Sequence, residues 1–365
     1  MDNMPRMIRW TAPLGAAAII AVGAIALSPS AQADPALPPR TAEELVADVL
    51  TADNGAYAGT VSTTSELGLP DLSGLGGGGG VAQSLLSGTQ TARVWADGDK
   101  QRLALPDGTN ETVAIRNGDT GWLWSSAEQK ATKIDTSSRD VALRKPTQTP
   151  AELARTVLTE VNKTSKVTTS TTSTVANRAA YDLIVTPTQS GTKIDRVVIA
   201  VDGETRMPLQ VQVYGVGSAE PSIQVGFTDI SFTRPDATLF EFTAPPGATV
   251  ENAPAHKGDT DKGDPRKDKG DPRKDAKGTD GAPDITGEGW VTVAVTDLPK
   301  PDDATGAEGG QRAQLDSLLG QLPEVRGSWG SGRLFEGPLF SAVITADGRV
   351  AVGAVTPDVL YAALS

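Results

Sequence analysis

The chain contains no cysteine, which excludes a disulfide framework, a thiolate nucleophile, a cysteine-held zinc and an iron–sulfur centre. It contains one histidine, His256, so a histidine-based triad or a multi-histidine metal site would have to be built around that residue alone. Aromatic residues make up 4% of the 365 positions and the net charge is −12; few stacking platforms and little basic surface argue against a nucleic-acid partner. The usual pairings of nucleophile and base are missing too. No catalytic residue, metal ligand set or cofactor is nominated, and the chain reads as a binding or carrier protein rather than an enzyme.

What is present begins with a leader. Arg6 and Arg9 precede an apolar run over 14–27, and Ala31-Gln32-Ala33 is a small-x-small cleavage signal ahead of Asp34-Pro35. The expectation is a signal peptide over 1–33, cleaved after Ala33, and a protein secreted or held in the extracytoplasmic envelope. The run is shorter than the roughly 20 residues a membrane span needs; an uncleaved N-terminal anchor is the alternative. There is no Arg-Arg pair, and no cysteine follows the run to be lipidated. Losing Asp2, Arg6 and Arg9 with the leader moves the net charge from −12 to −13, which disfavours docking on anionic lipid.

A second compositional break divides the rest. Almost every residue over 250–284 is charged, Gly, Pro, Ala or Thr, and KGDPRKD occurs twice in tandem, from Lys262 and from Lys269. Such a stretch has nothing to bury against the entropy of ordering, so it is expected to be a disordered, charged linker. Its aspartates lack the bidentate Glu and full ligand ladder of a calcium loop, and His256 sits at its edge as a solvated side chain. The layout is therefore a first domain over 34–250, a linker over 251–284 and a small C-terminal unit over 285–365.

The first domain alternates. Thr41-Ala42-Glu43-Glu44 is a capping box ahead of Leu45, Val46, Val49 and Leu50 at helical spacing, and Thr149-Pro150-Ala151-Glu152 repeats the logic ahead of Leu153, Val157, Leu158 and Val161. Strand patterns cover 57–64, 89–96, 101–105, 111–116, 120–125, 131–135, 166–175, 180–186, 196–202, 209–214, 222–232 and 239–243. Asp97-Gly98, Asp107-Gly108 and Asn117-Gly118 separate several of them, so successive strands should form antiparallel hairpins. Trp122 and Trp124 share a face opposite Leu123; Leu209, Val211 and Val213 share one opposite Gln210 and Gln212. The expected class is α+β: one highly curved antiparallel sheet, a half-barrel, covered by two short helices. Alternation leaves open whether its interior is packed or hollow.

Three pieces carry a resemblance: Asn117-Gly118-Asp119 leading into Trp122-Leu123-Trp124; Ile199-Ala200-Val201-Asp202 with Thr205, Pro208 and Leu209; and the run from Pro235 through Leu239, Phe240, Phe242 and Pro245-Pro246 to Gly247. Over about 41–250 their order and spacing resemble the LolA-like superfamily, which comprises outer-membrane lipoprotein carriers and the sigma-E regulatory proteins RseB and MucB. The chain looks like a secreted Gram-positive member. The resemblance implies a half-barrel with an apolar cavity for acyl chains, lined at the family's inward positions by Trp95, Trp122, Trp124, Phe227, Phe240 and Phe242. It implies an acyl lipid or lipoprotein as ligand, and the two-domain layout gives the alternative of a regulator that binds an anti-sigma or other envelope protein.

Other features stay close to local structure. Leu72, Leu75, Leu85 and Leu86 flank the glycine run 76–80 and read either as a flexible hairpin excursion or as a flap over a cavity mouth. Ser190-Gly191-Thr192-Lys193 matches a Ser-x-x-Lys string but lacks its companion motifs and sits in an expected hairpin turn. The glycine-rich stretch 327–333 lacks the Gly-Lys-Ser/Thr ending of a phosphate loop and reads as a turn leading into a strand. The C-terminal unit shows a strand pattern at 289–295, a helix pattern at 311–322 and a hairpin over 339–345 and 350–355 turned at Asp347-Gly348. It either folds separately or completes the first sheet.

Overall fold

The structure, a computed structural model, describes residues 37–52, 55–69, 87–136, 149–161, 164–253, 283–297 and 319–365. The leader, the KGDPRKD repeats, His256, Leu72, Leu75, Leu85 and Leu86 lie outside the described residues, as does most of the helix pattern at 311–322.

The alternating segments form one twelve-stranded sheet. Its strands are β1 (Ala56–Glu66), β2 (Ser87–Asp97), β3 (Lys100–Asp107), β4 (Asn110–Asn117), β5 (Thr120–Ser125), β6 (Lys130–Asp135), β7 (Ser165–Val175), β8 (Arg178–Pro187), β9 (Ile194–Asp202), β10 (Pro208–Gly215), β11 (Ile223–Ser231) and β12 (Thr249–Asn252). They stand in the order β12-β6-β5-β4-β3-β2-β1-β11-β10-β9-β8-β7, a curved sheet that does not close. Most neighbours are joined by tight hairpins. At Gly98, Gly108 and Gly118 the backbone turns through φ of 62°, 58° and 59°, which is why these turns carry glycine.

Two helices lie on one face: α1 (Ala42–Thr51) and α2 (Pro150–Val161). Each starts on its expected capping box. The Thr41 hydroxyl accepts from the Glu44 amide at 3.2 Å and the Thr149 hydroxyl from the Glu152 amide at 3.3 Å; each glutamate carboxylate accepts from the N-cap amide at 3.0 Å. Leu45 and Val49 of α1 and Ala154 and Leu158 of α2 bury into Tyr181, Leu183, Val197, Ile199 and Val211 of the sheet. Arg155 of α2 donates to the carbonyls of Val49 and Ala52 and so ties the two helices together.

Three segments depart from their sequence pattern. The run 239–243 is not a strand: Asp236 accepts from the amide and hydroxyl of Thr238 at 2.9 and 2.7 Å and starts a 3-10 turn over Ala237–Phe240. That local cap outcompetes the alternation of Leu239, Phe240 and Phe242. The residues Val250 to Asn252, which composition assigns to the linker or its border, belong to β12. This strand pairs parallel with β6 while the other pairings are antiparallel; its four side chains are exposed and Glu251 bridges Lys130 at 2.9 Å. A fully exposed edge strand has no apolar pattern to find. In the run 289–295, a 3-10 turn over Gly289–Val291 precedes a shorter strand, β14.

The C-terminal unit builds its own sheet and does not complete the first. Strands β13 (Asp284–Thr286), β14 (Val293–Asp297), β15 (Glu324–Gly327), β16 (Gly330–Glu336), β17 (Ser341–Thr345) and β18 (Arg349–Gly353) stand in the order β13-β14-β18-β17-β16-β15, and α3 (Pro357–Leu364) packs on them. Leu360 and Leu364 meet Val293, Val343, Ala351 and Val355, and Trp329 stacks on Tyr361 at 5.6 Å. The β15–β16 turn at Ser328-Trp329 occupies the glycine-rich stretch 327–333. This unit docks on the corner between β8 and β9, the location of the Ser-x-x-Lys string. Lys193 donates its amide to the Ala354 carbonyl at 2.9 Å and its ammonium to Glu336 at 2.7 Å, and the Thr356 amide reaches the Gly191 carbonyl at 2.8 Å. A Cβ on Gly191 would lie 2.7 Å from Val359. These four residues therefore form a docking corner.

Candidate functional site

The register decides which side chains share the helix-covered face. Directly paired residues of an antiparallel ladder point the same way. Val94, Leu103, Ala114 and Leu123 are cross-strand partners in sequence across β2 to β5, and the next row is Tyr57, Ala96, Gln101 and Arg116 across β1 to β4. Both rows face the helices. They floor a cleft under the start of α2, with Thr149 and Glu152 on its other side.

The cleft exists because its floor is built from small residues. Ala96 and Ala114 stand where β8 to β10 place Leu183 and Ile199, which leaves a narrow cleft beside the first turn of α2, whose Ala151 is itself packed into the core. The cleft is narrow, well below the roughly 300–1,000 Å³ of small-molecule sites. Water can be centred in about 40 Å³ of it, room for two or three waters as it stands.

Tyr57 closes the far end, meeting Phe227 edge-on at 6.0 Å. Gly59 makes that contact possible, since a Cβ there would lie 3.0 Å from the Phe227 ring and 2.5 Å from the Asp229 carbonyl. Burial, with the Glu152 carboxylate adding to it and Arg155 opposing, pushes the Tyr57 hydroxyl up to about 12. At neutral pH it is a neutral donor.

Of the six aromatic residues assigned to the lining by resemblance, Phe227 is on the helix-covered face. Trp95, Trp122 and Trp124 are on the opposite one. Trp122 pairs with Ile115 and Lys133, Trp124 with Val113 and Ala131, and Trp95 with Arg102, all one residue out of step with the cleft rows. There they form a second core, roofed by the chain that follows the 3-10 turn: Phe242 packs on Trp122 at 5.2 Å and on Trp124 at 6.2 Å, with Ala244 and Ala248 beside it. Phe240 is 1% exposed, and the neighbouring Leu239 carbonyl accepts from Arg102 at 3.0 Å. Trp122, Trp124 and Phe242 thus pack together on the back of the sheet, Trp95 borders the cleft, and Phe227 lies with the cleft rows. The cleft residues sequence reasoning missed are Tyr57, Gln101, Arg116 and Glu152, and their only sequence signal was Ala96 and Ala114 at alternating positions two strands apart.

Among the described residues no cluster of three His, Cys, Asp or Glu side chains gathers that could hold a metal. The tightest charged group lies elsewhere, at the β9–β10 turn. Asp202, 1% exposed, is held by Arg178 at 2.6 and 3.0 Å and by the Thr205 amide and hydroxyl at 2.7 and 2.8 Å. Burial works to raise its carboxyl, but the Arg178 and Thr205 bonds outweigh it and hold it below its ordinary value. This group staples a turn and does not reach the cleft.

No protein-family model and no curated protein matches the chain. Solved structures do. The MucA/MucB complex of Pseudomonas aeruginosa is 13% identical over 88% of this chain and 95% of that one, with a TM-score of 0.42. A crystal structure of MucB is 15% identical over 87% and 94%, at 0.40, and a LolA superfamily protein from Nitrosomonas europaea is 11% identical over 56% and 99%, at 0.25. The architecture is an unclosed, largely antiparallel sheet with α1 and α2 laid across one face. Among the described residues, the cleft between α2 and the strands lies on the β1–β4 half of that sheet.

Proposed function

We propose that the protein is a non-enzymatic carrier, working outside the cytoplasm, that takes an apolar acyl-type chain into the cleft between α2 and strands β1 to β4. One observation carries this reading: a cleft with an apolar floor of Val94, Ala96, Leu103 and Ala114 and a polar rim, under a helix start that rests on small residues. The extracytoplasmic placement rests on the leader pattern of residues 1–33. A chain longer than a few carbons requires the first turn of α2 to lift, since the closed cleft has room for two or three waters. That narrowness favours a second reading, in which the protein is a regulator whose ligand is an envelope or anti-sigma protein and whose cleft stays shut.

Native mass spectrometry of the mature protein, followed by organic extraction, separates the two. Co-purifying acyl lipid, or uptake of a neutral fluorescent polyene, is the expected result. A protein that arrives empty and also refuses the polyene overturns the carrier reading, and cross-linking to an anti-sigma protein in the native envelope then becomes the test of the regulator.

A further inference from the structure

The cleft has one feature an uncharged ligand leaves unexplained. Arg116 ends the row Tyr57, Ala96, Gln101, Arg116 on the helix-covered face, and the next position across β5 is Gly121, which offers no side chain to cover it. Its Nε donates to the Gly118 carbonyl at 3.2 Å, and among the described residues its two terminal nitrogens make neither a hydrogen bond nor an ion pair. Gln101, its direct cross-strand neighbour, also makes no side-chain hydrogen bond there. A guanidinium and an amide thus stand side by side, half-buried and unspent, at the rim of an apolar floor. Half-exposed at the rim, these donors are open to water, and a ligand acceptor there would replace water contacts with a charge-assisted bond in a partly sheltered site.

Arg102 also borders the cleft: it lies over Trp95 and donates one N–H to the Leu239 carbonyl, while its Nε is buried without a hydrogen-bond partner among the described residues. Glu152 accepts the Thr149 amide, and the capping box it forms consumes donors the helix start would otherwise offer an anion. Arg102 and Arg116 against the single carboxylate of Glu152 leave one unbalanced positive charge at the cleft, so the site suits one added negative charge better than two.

Building on the carrier reading, we infer that the ligand is a singly charged anionic amphiphile, a long-chain carboxylate, with its head group held by Arg116 and Gln101 and its chain lying over Ala96, Leu103 and Ala114. The planar fork of Arg116 suits a carboxylate in two-point contact, and Gln101 supplies a further N–H.

The test is competition against the neutral polyene bound to the mature full chain, using palmitate, hexadecanol and hexadecyl phosphate. Palmitate should displace the probe at about tenfold lower concentration than hexadecanol, the size expected of one charge-assisted contact in a half-buried site. In Arg116→Gln that preference should collapse toward unity; in Arg116→Lys, which keeps the charge and loses the fork, part of it should survive. Thermal unfolding of both variants confirms that they are folded. Equal displacement by palmitate and hexadecanol in the unaltered chain, or an undiminished preference in Arg116→Gln, overturns the anchor and leaves the cleft reading standing. Hexadecyl phosphate outcompeting palmitate overturns the single-charge assignment. A probe that never binds overturns both the cleft reading and the anchor.

Discussion

The two halves of the helix-covered face obey the same alternation and end differently. On β8 to β10 the inward residues are Tyr181, Leu183, Val197, Ile199 and Val211, each 0–1% exposed beneath α1 and α2. On β2 to β4 the corresponding rows carry Ala92, Ala96 and Ala114 among larger neighbours, and the start of α2 stands over a cleft. Side-chain volume, not strand pattern, separates a packed wall from a cleft floor. The helix α2 bridges both halves, packed closely on one and leaving a narrow cleft beside its first turn on the other.

Breaking the packed half should have the largest effects. Leu183→Ala leaves a cavity where nothing can collapse and should cost about 2–5 kcal/mol. Asp202→Asn removes the buried carboxylate that binds Arg178 and Thr205, and because Arg178 is partly exposed and keeps Glu204 it should lower stability by about 1.5–3 kcal/mol in chemical denaturation. The unaltered chain should show the linked acid dependence. Because the Asp202 carboxyl is held below its ordinary 3.8 in the folded state, its contribution is present above that value and drains away as the pH falls through the lower folded-state value. Urea midpoints measured from pH 6 downward should therefore fall more steeply in the unaltered chain than in Asp202→Asn; parallel curves would break the assignment.

Smaller effects sharpen the contrast. Thr149→Ala frees the α2 start from its cap and should cost about 1 kcal/mol. If the cleft opens by lifting that turn, polyene uptake by the same variant should be faster in stopped-flow fluorescence. Ala114→Leu adds volume to the open half, where it should cost less than about 1 kcal/mol instead of the roughly 1–3 kcal/mol of overpacking, and should abolish polyene binding. A loss of 3 kcal/mol or more there would show that the cleft floor is as tightly packed as β8 to β10. Spectrophotometric titration should find a tyrosine with a midpoint near 12 that disappears in Tyr57→Phe.

Much of this fold is legible from residues. The capping boxes at Thr41 and Thr149 mark both helix starts, and Asp97-Gly98, Asp107-Gly108 and Asn117-Gly118 mark hairpins whose strands lie close to their predicted ranges. The 3-10 turn after Asp236 was hidden because its pattern of Leu239, Phe240 and Phe242 mimics a strand, while one aspartate hydrogen bond redirects the backbone. β12 was hidden because its side chains are all exposed, so its pairing with β6 rests on the backbone ladder and one surface ion pair and leaves no apolar pattern.

The candidate site shows the limit more sharply. Alternation correctly set Trp122 and Trp124 against Leu123, and hence told which side chains travel together. It carries no sign, since a period of two is the same whichever face is inward. The sign came from what covers each face: α1 and α2 on one side, and on the other a segment more than a hundred residues further along the chain that brings Phe242 onto Trp122 and Trp124. The residues themselves decide turns, helix starts and the two sets of faces, because these are local hydrogen bonds and local geometry. Which set becomes packed core and which borders the cleft is a long-range packing outcome, decided where Ala96 and Ala114 leave room beneath a helix and where Phe242 covers Trp122 and Trp124.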